Sequence, residues 1–180
     1  MLMRRQSGFS MIELLISVVI MSIGVLGMAG LQIISMQQNR SALLQGEATL
    51  RSNDILDRIR ANPSSNYSIA LNTTPSVTTD CVGNTCSESE MMDYDIAQWQ
   101  CSINSNDASG DPYTVCANFG ITGALPGGHC ASATSACAGG SIALTSGVYD
   151  VTIQWVDQQT VDANATNATT RSITVSMRAP

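Results

Sequence analysis

Between Leu14 and Asn39 the chain carries no charged residue, and the run from Leu14 to Met36 is built mostly of Leu, Ile, Val, Met, Ala and Gly. A helix over this run is long enough to cross the roughly 30 Å of bilayer hydrocarbon. It therefore dictates a membrane segment at the start of the chain. Charge returns beyond it with helical spacing: Leu44, Ala48, Ile55, Leu56 and Ile59 mark one apolar stripe, while Glu47 with Arg51 and Asp54 with Arg58 are acid-before-base pairs four apart. Pro63, preceded by Asn62, is the stop. The expectation is one helix of residues 9–62, its part up to about residue 39 apolar all round and the rest amphipathic.

The residues just before this helix have an unusual order. A secretory signal places its small-residue cleavage site after the apolar core. Here Arg4, Arg5 and Gly8 all precede it, so a cut beside Gly8 leaves the apolar helix in the mature protein. Arg4 and Arg5 keep the leader in the cytoplasm and send the chain beyond about Met36 to the other side. Glu13 stands at the edge of the apolar run. A carboxylate near a bilayer centre costs about 2.5 to 3.5 kcal/mol on insertion scales. Closer to the end of the span the cost falls, but the group still calls for a cationic partner.

After the helix, residues 63–180 read as a head of α+β class. Met92, Ile96 and Trp99 recur at helical spacing and predict a short helix over Met91 to Gln100. Tyr94 and Asp95 are read as a helix-start arrangement, and Trp99 and Trp155 as core anchors. Tyr149, Val151, Ile153 and Trp155 alternate with Asp150, Thr152 and Gln154, and Ile173, Val175 and Met177 alternate with Thr174 and Ser176. Both are patterns of half-buried strands. A shorter strand near Ser141 to Leu144 turns through Thr145, Ser146 and Gly147 to complete a three-stranded antiparallel meander. The amphipathic half of the helix is the natural cover for its apolar face.

All six cysteines (Cys81, Cys86, Cys101, Cys116, Cys130 and Cys137) lie in the second half. Their even number behind an export-type N-terminus points to disulfides in an oxidising compartment. The shortest pairings are Cys81 with Cys86, Cys101 with Cys116, and Cys130 with Cys137, among the many connectivities that six cysteines permit. His129 beside Cys130 is the only hint of a metal site and lacks a C-x-x-C companion, so no metal and no cofactor is expected. All eight basic residues are Arg, and loss of Arg4 and Arg5 with the leader takes the formal charge from −6 to −8. A chain this acidic has no footprint for a phosphate backbone, which excludes nucleic acid as a partner. With His129 the only histidine and no Gly-x-Ser-x-Gly or phosphate loop, no catalytic constellation is visible and the chain is not read as an enzyme. Gly24, Gly27 and Gly30 form a line that serves as a packing face, a site of local melting, or simply the glycine tolerance of membrane helices.

The stretch Gly8, Phe9, Ser10, Met11, Ile12, Glu13 and Leu14 resembles the prepilin peptidase site of type IV pilins and type II secretion pseudopilins. The resemblance implies a leader of residues 1–8, cleavage between Gly8 and Phe9 by a membrane aspartyl peptidase, N-methylation of Phe9, and pairing of Glu13 with the terminal amine of a neighbouring subunit. Further along, Ser17 to Leu31, Arg51 to Pro63, Cys81 with Cys86, Tyr94 to Trp99, Leu125 to Gly128 and the strand end Gln154 and Trp155 are similar to one branch, the minor pilins of the type IV pilus modification protein PilV family. Cys101, Cys116, Cys130 and Cys137 depart from that pattern. The resemblance implies a type IV pilin fold, a long helix on a small antiparallel sheet with disulfide-stapled loops. It also implies a minor pilin held in the bacterial inner membrane with a periplasmic head, then drawn into a surface pilus. Other minor pilins, the major pilin and a tip adhesin would be its partners. A minor pseudopilin of a type II secretion system shares the leader and helix, and a periplasmic domain on an uncleaved signal anchor is the reading from another class.

Overall fold

The structure, a computed structural model, describes residues 10–107, 109–127, 137–157 and 169–180. The order of elements is α1 (Met11–Ala61), α2 (Glu88–Ile103), α3 (Thr114–Phe119), β1 (Gly139–Thr145), β2 (Val148–Asp157) and β3 (Thr169–Arg178). Two compact units divide the chain, residues 1–40 and residues 41–180.

In the first unit α1 starts just after Ser10, whose carbonyl accepts the amides of Glu13 (3.1 Å) and Leu14 (3.3 Å). The helix is long and apolar enough to cross a membrane by length and composition, and its Leu, Ile, Val and Met side chains are exposed throughout. Its hydroxyls stay within the helix: Ser17 Oγ donates to the Glu13 carbonyl (2.6 Å) and Ser22 Oγ to that of Val19 (2.8 Å). A serine closed onto its own backbone removes the donor that hydrocarbon could not satisfy. The helix runs unbroken through Gly24, Gly27 and Gly30, where an added methyl would meet nothing.

In the second unit the rest of α1 carries the pairs read from its spacing, Arg51 with Glu47 at 2.6 Å and Arg58 with Asp54 at 3.2 Å. Ala48, Ile55, Leu56 and Ile59 are buried in one cluster with Trp99 and Ile103 of α2, Ile142 of β1, and Val151 and Ile153 of β2. The amphipathic half of α1 thus covers the sheet, as its apolar stripe requires. The sheet runs β1-β2-β3, all antiparallel. Thr145 pairs with Val148, so it closes β1, and the turn proper is Ser146 and Gly147, at φ 52° and 76°. Two consecutive positive φ values suit the twist of a two-residue hairpin.

Other elements differ from expectation. Helix α2 reaches Glu88–Ile103 in place of Met91 to Gln100, because Ser87 caps it upstream and Ile103 adds a further turn to the buried face. Tyr94 and Asp95 consequently stand inside the helix and not at its start. Helix α3 was not foreseen: at six residues it is too short for periodicity to show, and it is held by the Cys101–Cys116 disulfide and ended by Gly120 at φ 64°. The alternation of β2 also fails at its end, where Gln154, Val156 and Asp157 are buried as well as Ile153 and Trp155. Flanking segments cover that end: Val156 N donates to the Pro126 carbonyl (2.9 Å), and Gln154 Nε2 lies 2.9 Å from Cys137 Sγ.

Trp99 is fully buried, its ring against β1 at Gly140, where a Cβ would overlap both the indole and the Ile103 side chain. Gly140→Ala is expected to lower stability by about 1 to 3 kcal/mol through overpacking, measured by denaturant unfolding of the full chain in detergent. Trp99→Phe gives up the indole N–H and the outer ring atoms that the added Cβ would meet, so it is expected to destabilise the chain by itself but to offset part of the Gly140→Ala loss when the two are combined.

Candidate functional site

The N-terminal candidates lie on or just ahead of α1. Gly8 and Phe9 are outside the described residues. Glu13 occupies the first turn of α1, where four amides lack helical partners and the helix dipole favours an anion. Its side chain is exposed and joins no ion pair among the described residues. An exposed carboxylate beside Met11, Ile12, Leu14 and Leu15 is a single anionic point in an apolar surface. Such a surface can be covered by lipid or by other apolar helices, with the carboxylate as its one anionic point.

In the head, Asp95 gathers three elements. Its Oδ1 accepts from Arg58 Nη1 of α1 at 2.9 Å, and its Oδ2 accepts from the hydroxyl of Tyr67 at 2.9 Å. Arg58 Nη1 also donates to Gln98 Oε1 at 2.7 Å. Tyr67 is fully buried. Burial, reinforced by the Asp95 carboxylate, holds its phenol far above the ordinary value, so it is a permanent donor here. Sequence reading had paired Arg58 with Asp54 alone and passed over Tyr67; no spacing rule links residues so far apart. Asp95→Ala leaves Arg58 and Tyr67 short of a buried acceptor and is expected to cost about 2 to 4 kcal/mol in denaturant unfolding. Asp95→Asn should recover part of that.

Four of the cysteines are paired near the two ends of the same helix. Cys81 and Cys86 are joined, with Cα atoms 5.6 Å apart, and Cys101 is joined to Cys116 at 5.3 Å. Cys130 and His129 lie outside the described residues; Cys137 is fully buried, and no described cysteine is free. Glu90 closes the small loop from both sides. Its carboxylate accepts from the Ser87 amide (2.9 Å), the Ser87 hydroxyl (2.7 Å) and, from before the loop, Thr79 Oγ1 (2.8 Å). Ser87 Oγ in turn accepts from the Glu90 amide at 3.4 Å, completing a capping box. The signal was present in the sequence as Ser-x-x-Glu and was missed.

Beside this loop an open groove of about 730 Å³ is lined by Val77, Asp80, Val82, Tyr94, Val115 and Phe119. Tyr94 and Phe119 meet edge to face at 5.1 Å, fixing α3 on α2. Among the described residues no group of three His, Cys, Asp or Glu could hold a metal ion.

The hydrogen bonds to Glu90, first that of the Ser87 amide, bring its pKa from 4.5 to about 2. A lowered folded-state pKa adds stability that is complete above about 4.5 and disappears as pH falls through about 2. An NMR titration of the Glu90 carboxyl is expected to show its midpoint near the lower value, and Ser87→Ala to move it part of the way back.

Two family models match the chain and adjoin one another. Residues 3–29 match the one described as Prokaryotic N-terminal methylation motif, and residues 30–97 the one described as Type IV pilin Tt1218. The first covers Gly8, Phe9, Glu13 and the Gly24 to Gly27 stretch; the second runs through the amphipathic half of α1, the Cys81–Cys86 loop and Asp95. No curated protein and no solved structure matches.

Proposed function

We infer the function from the premise that this chain belongs to the type IV pilin family, and propose that it serves as a minor pilin. The leader, residues 1–8, is removed between Gly8 and Phe9 by prepilin peptidase, and the new amine of Phe9 is methylated. Residues 9–62 form the assembly helix, with residues 9–39 in the inner membrane, and residues 63–180 form a periplasmic head. From there the subunit passes into a pilus, where it primes growth within a complex of minor pilins that meets the major pilin and a tip adhesin. Its role is structural, with no reaction of its own.

One observation carries this reading. The methylation-motif match ends in a helix whose apolar side chains are all exposed, with Glu13 alone supplying charge in its first turn. Inside a bundle of such helices an unpaired carboxylate and an unpaired amine are each costly, and their meeting offsets both. The Phe9 amine of one subunit against Glu13 of the next satisfies that condition and sets the stagger between them. The match over residues 30–97 supports a pilin head, and the resemblance of Arg51 to Pro63 and Tyr94 to Trp99 to the PilV branch favours the minor pilins over a secretion pseudopilin.

Intact-mass measurement of the membrane-extracted protein is expected to show loss of residues 1–8 and the gain of one methyl group. A chain that kept its leader would be an anchored periplasmic domain instead. Glu13→Ala should be processed normally but lower co-purification with other subunits by about a hundredfold, the scale on which an uncompensated buried charge weighs. Recovery of the wild-type chain in sheared surface fibres separates a pilus from a secretion system.

A further inference from the structure

The two edges of the sheet are treated differently. At β1, Ile69 bridges Ile142 through a pair of backbone bonds, Ile69 N to the Ile142 carbonyl at 2.9 Å and Ile142 N to the Ile69 carbonyl at 3.0 Å. Ile142 therefore turns its backbone away from Val151, its partner in β2, and Val151 turns its own toward Val175 of β3. Ala179 N, bonded to the Gly147 carbonyl at 2.8 Å, fixes the same phase at the other end. With bonded and non-bonded pairs alternating, Thr170, Ser172, Thr174, Ser176 and Arg178 aim their amides and carbonyls away from β2. All five are exposed. Among the described residues no strand lies beyond β3.

Edge strands are normally blunted by shortness, proline, bulges or mid-strand charge. Strand β3 has none of these: it is ten residues long, pairs with β2 without a break in register, and from Ser172 to Met177 is free of charge and proline. On its core-facing side Ile173, Val175 and Met177 are only partly buried, so a further strand would cover apolar surface as well as satisfy the ladder. Charge selects the occupant. Past α1 the chain's only arginines are Arg171 and Arg178, one near each end of β3. Arg178 is exposed and joins none of the ion pairs among the described residues, and Arg171 is more than half exposed while its Nε reaches Asp157 at 3.3 Å. Two copies of β3 laid together would gather four like charges on one ribbon, whereas a strand with acidic ends would neutralise them.

We propose that the free edge of β3 is a strand-addition site that takes an extended segment of a different pilus subunit, alternating apolar and polar with acidic residues at its ends. This rests on the pilin reading and names the surface through which the head meets its partner. Backbone bonds would supply the affinity and Arg171 and Arg178 the selectivity, the division of labour in strand addition generally.

The test uses the full chain in cells that assemble the fibre, with a photo-cross-linking phenylalanine derivative in place of Ser172. Irradiation is expected to join it to a different subunit, the cross-linked peptide being an extended acid-bearing segment. Thr174→Pro deletes one outward amide while sparing the backbone bonds to β2, a position where an edge strand accepts proline; Thr174→Val, which loses only the hydroxyl contact with Thr152 (2.8 Å), is its control. The proline variant should lower the adduct by about tenfold relative to Thr174→Val, the effect of one lost hydrogen bond with its acceptor left unpaired, with a thermal midpoint matching that of Thr174→Val. Ser176→Pro repeats the block, so that a folding defect in one variant does not decide the outcome. Adducts formed only with a second copy of this chain, or undiminished by both prolines, overturn the proposal. If the wild-type chain is absent from sheared fibres, the pilin reading falls and takes the proposal with it. If both proline variants enter fibres and cross-link as wild type does, the edge proposal alone falls.

Discussion

The indole of Trp99 stands at the point where helix, helix and sheet converge. Its Nε1 donates to the Arg51 carbonyl of α1 at 2.8 Å, and its ring lies on the bare backbone of Gly140 in β1. A side chain this large dominates the local burial free energy, and here it also sets distance, since the sheet can approach α2 only because Gly140 has no Cβ. A hydrogen bond to a mid-helix carbonyl is unusual, because that oxygen already has a helical partner; its second lone pair makes the contact free of penalty. The core from Ala48 to Ile59 on α1, through Ile103, to Val151 and Ile153 then closes around the ring.

Polar groups near this core are arranged by the same logic. Asp95 lies on α2 one turn before Trp99, so the turn that buries the indole also aims the carboxylate at Arg58 and Tyr67. Apolar packing fixes the separation of α1 and α2, and the ion pair with its phenol donor fixes their rotation, since it tolerates little change in angle. The disulfides work outward from α2, one before its cap and one near its end, tying loops that lack apolar content of their own.

A division follows between the ends of the chain. The described part of the first unit buries no core: Met11 to Arg40 exposes its apolar surface, the kind that lipid or other helices cover. The second folds on itself, and among the described residues no strand pairs with the outer edge of β3. Among the described residues, then, the helix exposes an apolar surface and the sheet an outer edge, features that suit a part of a larger assembly.

How much of this could be read in advance depended on the range of the interaction. The long helix, its stop at Pro63, the i,i+4 pairs and the alternation of β2 and β3 were legible because each is a pattern repeated within a few residues of itself. The local cap at Ser87 and Glu90 was equally legible and was overlooked. What no local pattern could carry was the meeting of Arg58, Tyr67 and Asp95, the seat of Trp99 on Gly140, the burial of both faces at the end of β2, and which sheet edge is left open. Those follow from distant segments arriving at one place, and the sequence records only their separate chemistry. By itself it determined the long apolar helix, the N-terminal methylation motif and the α+β class, since hydrophobic periodicity and residue order decide those without reference to the rest of the chain. The tertiary structure alone decided the core contacts, the polar hub and the free strand, because hydrogen-bond direction and close approach exist only once the chain has folded.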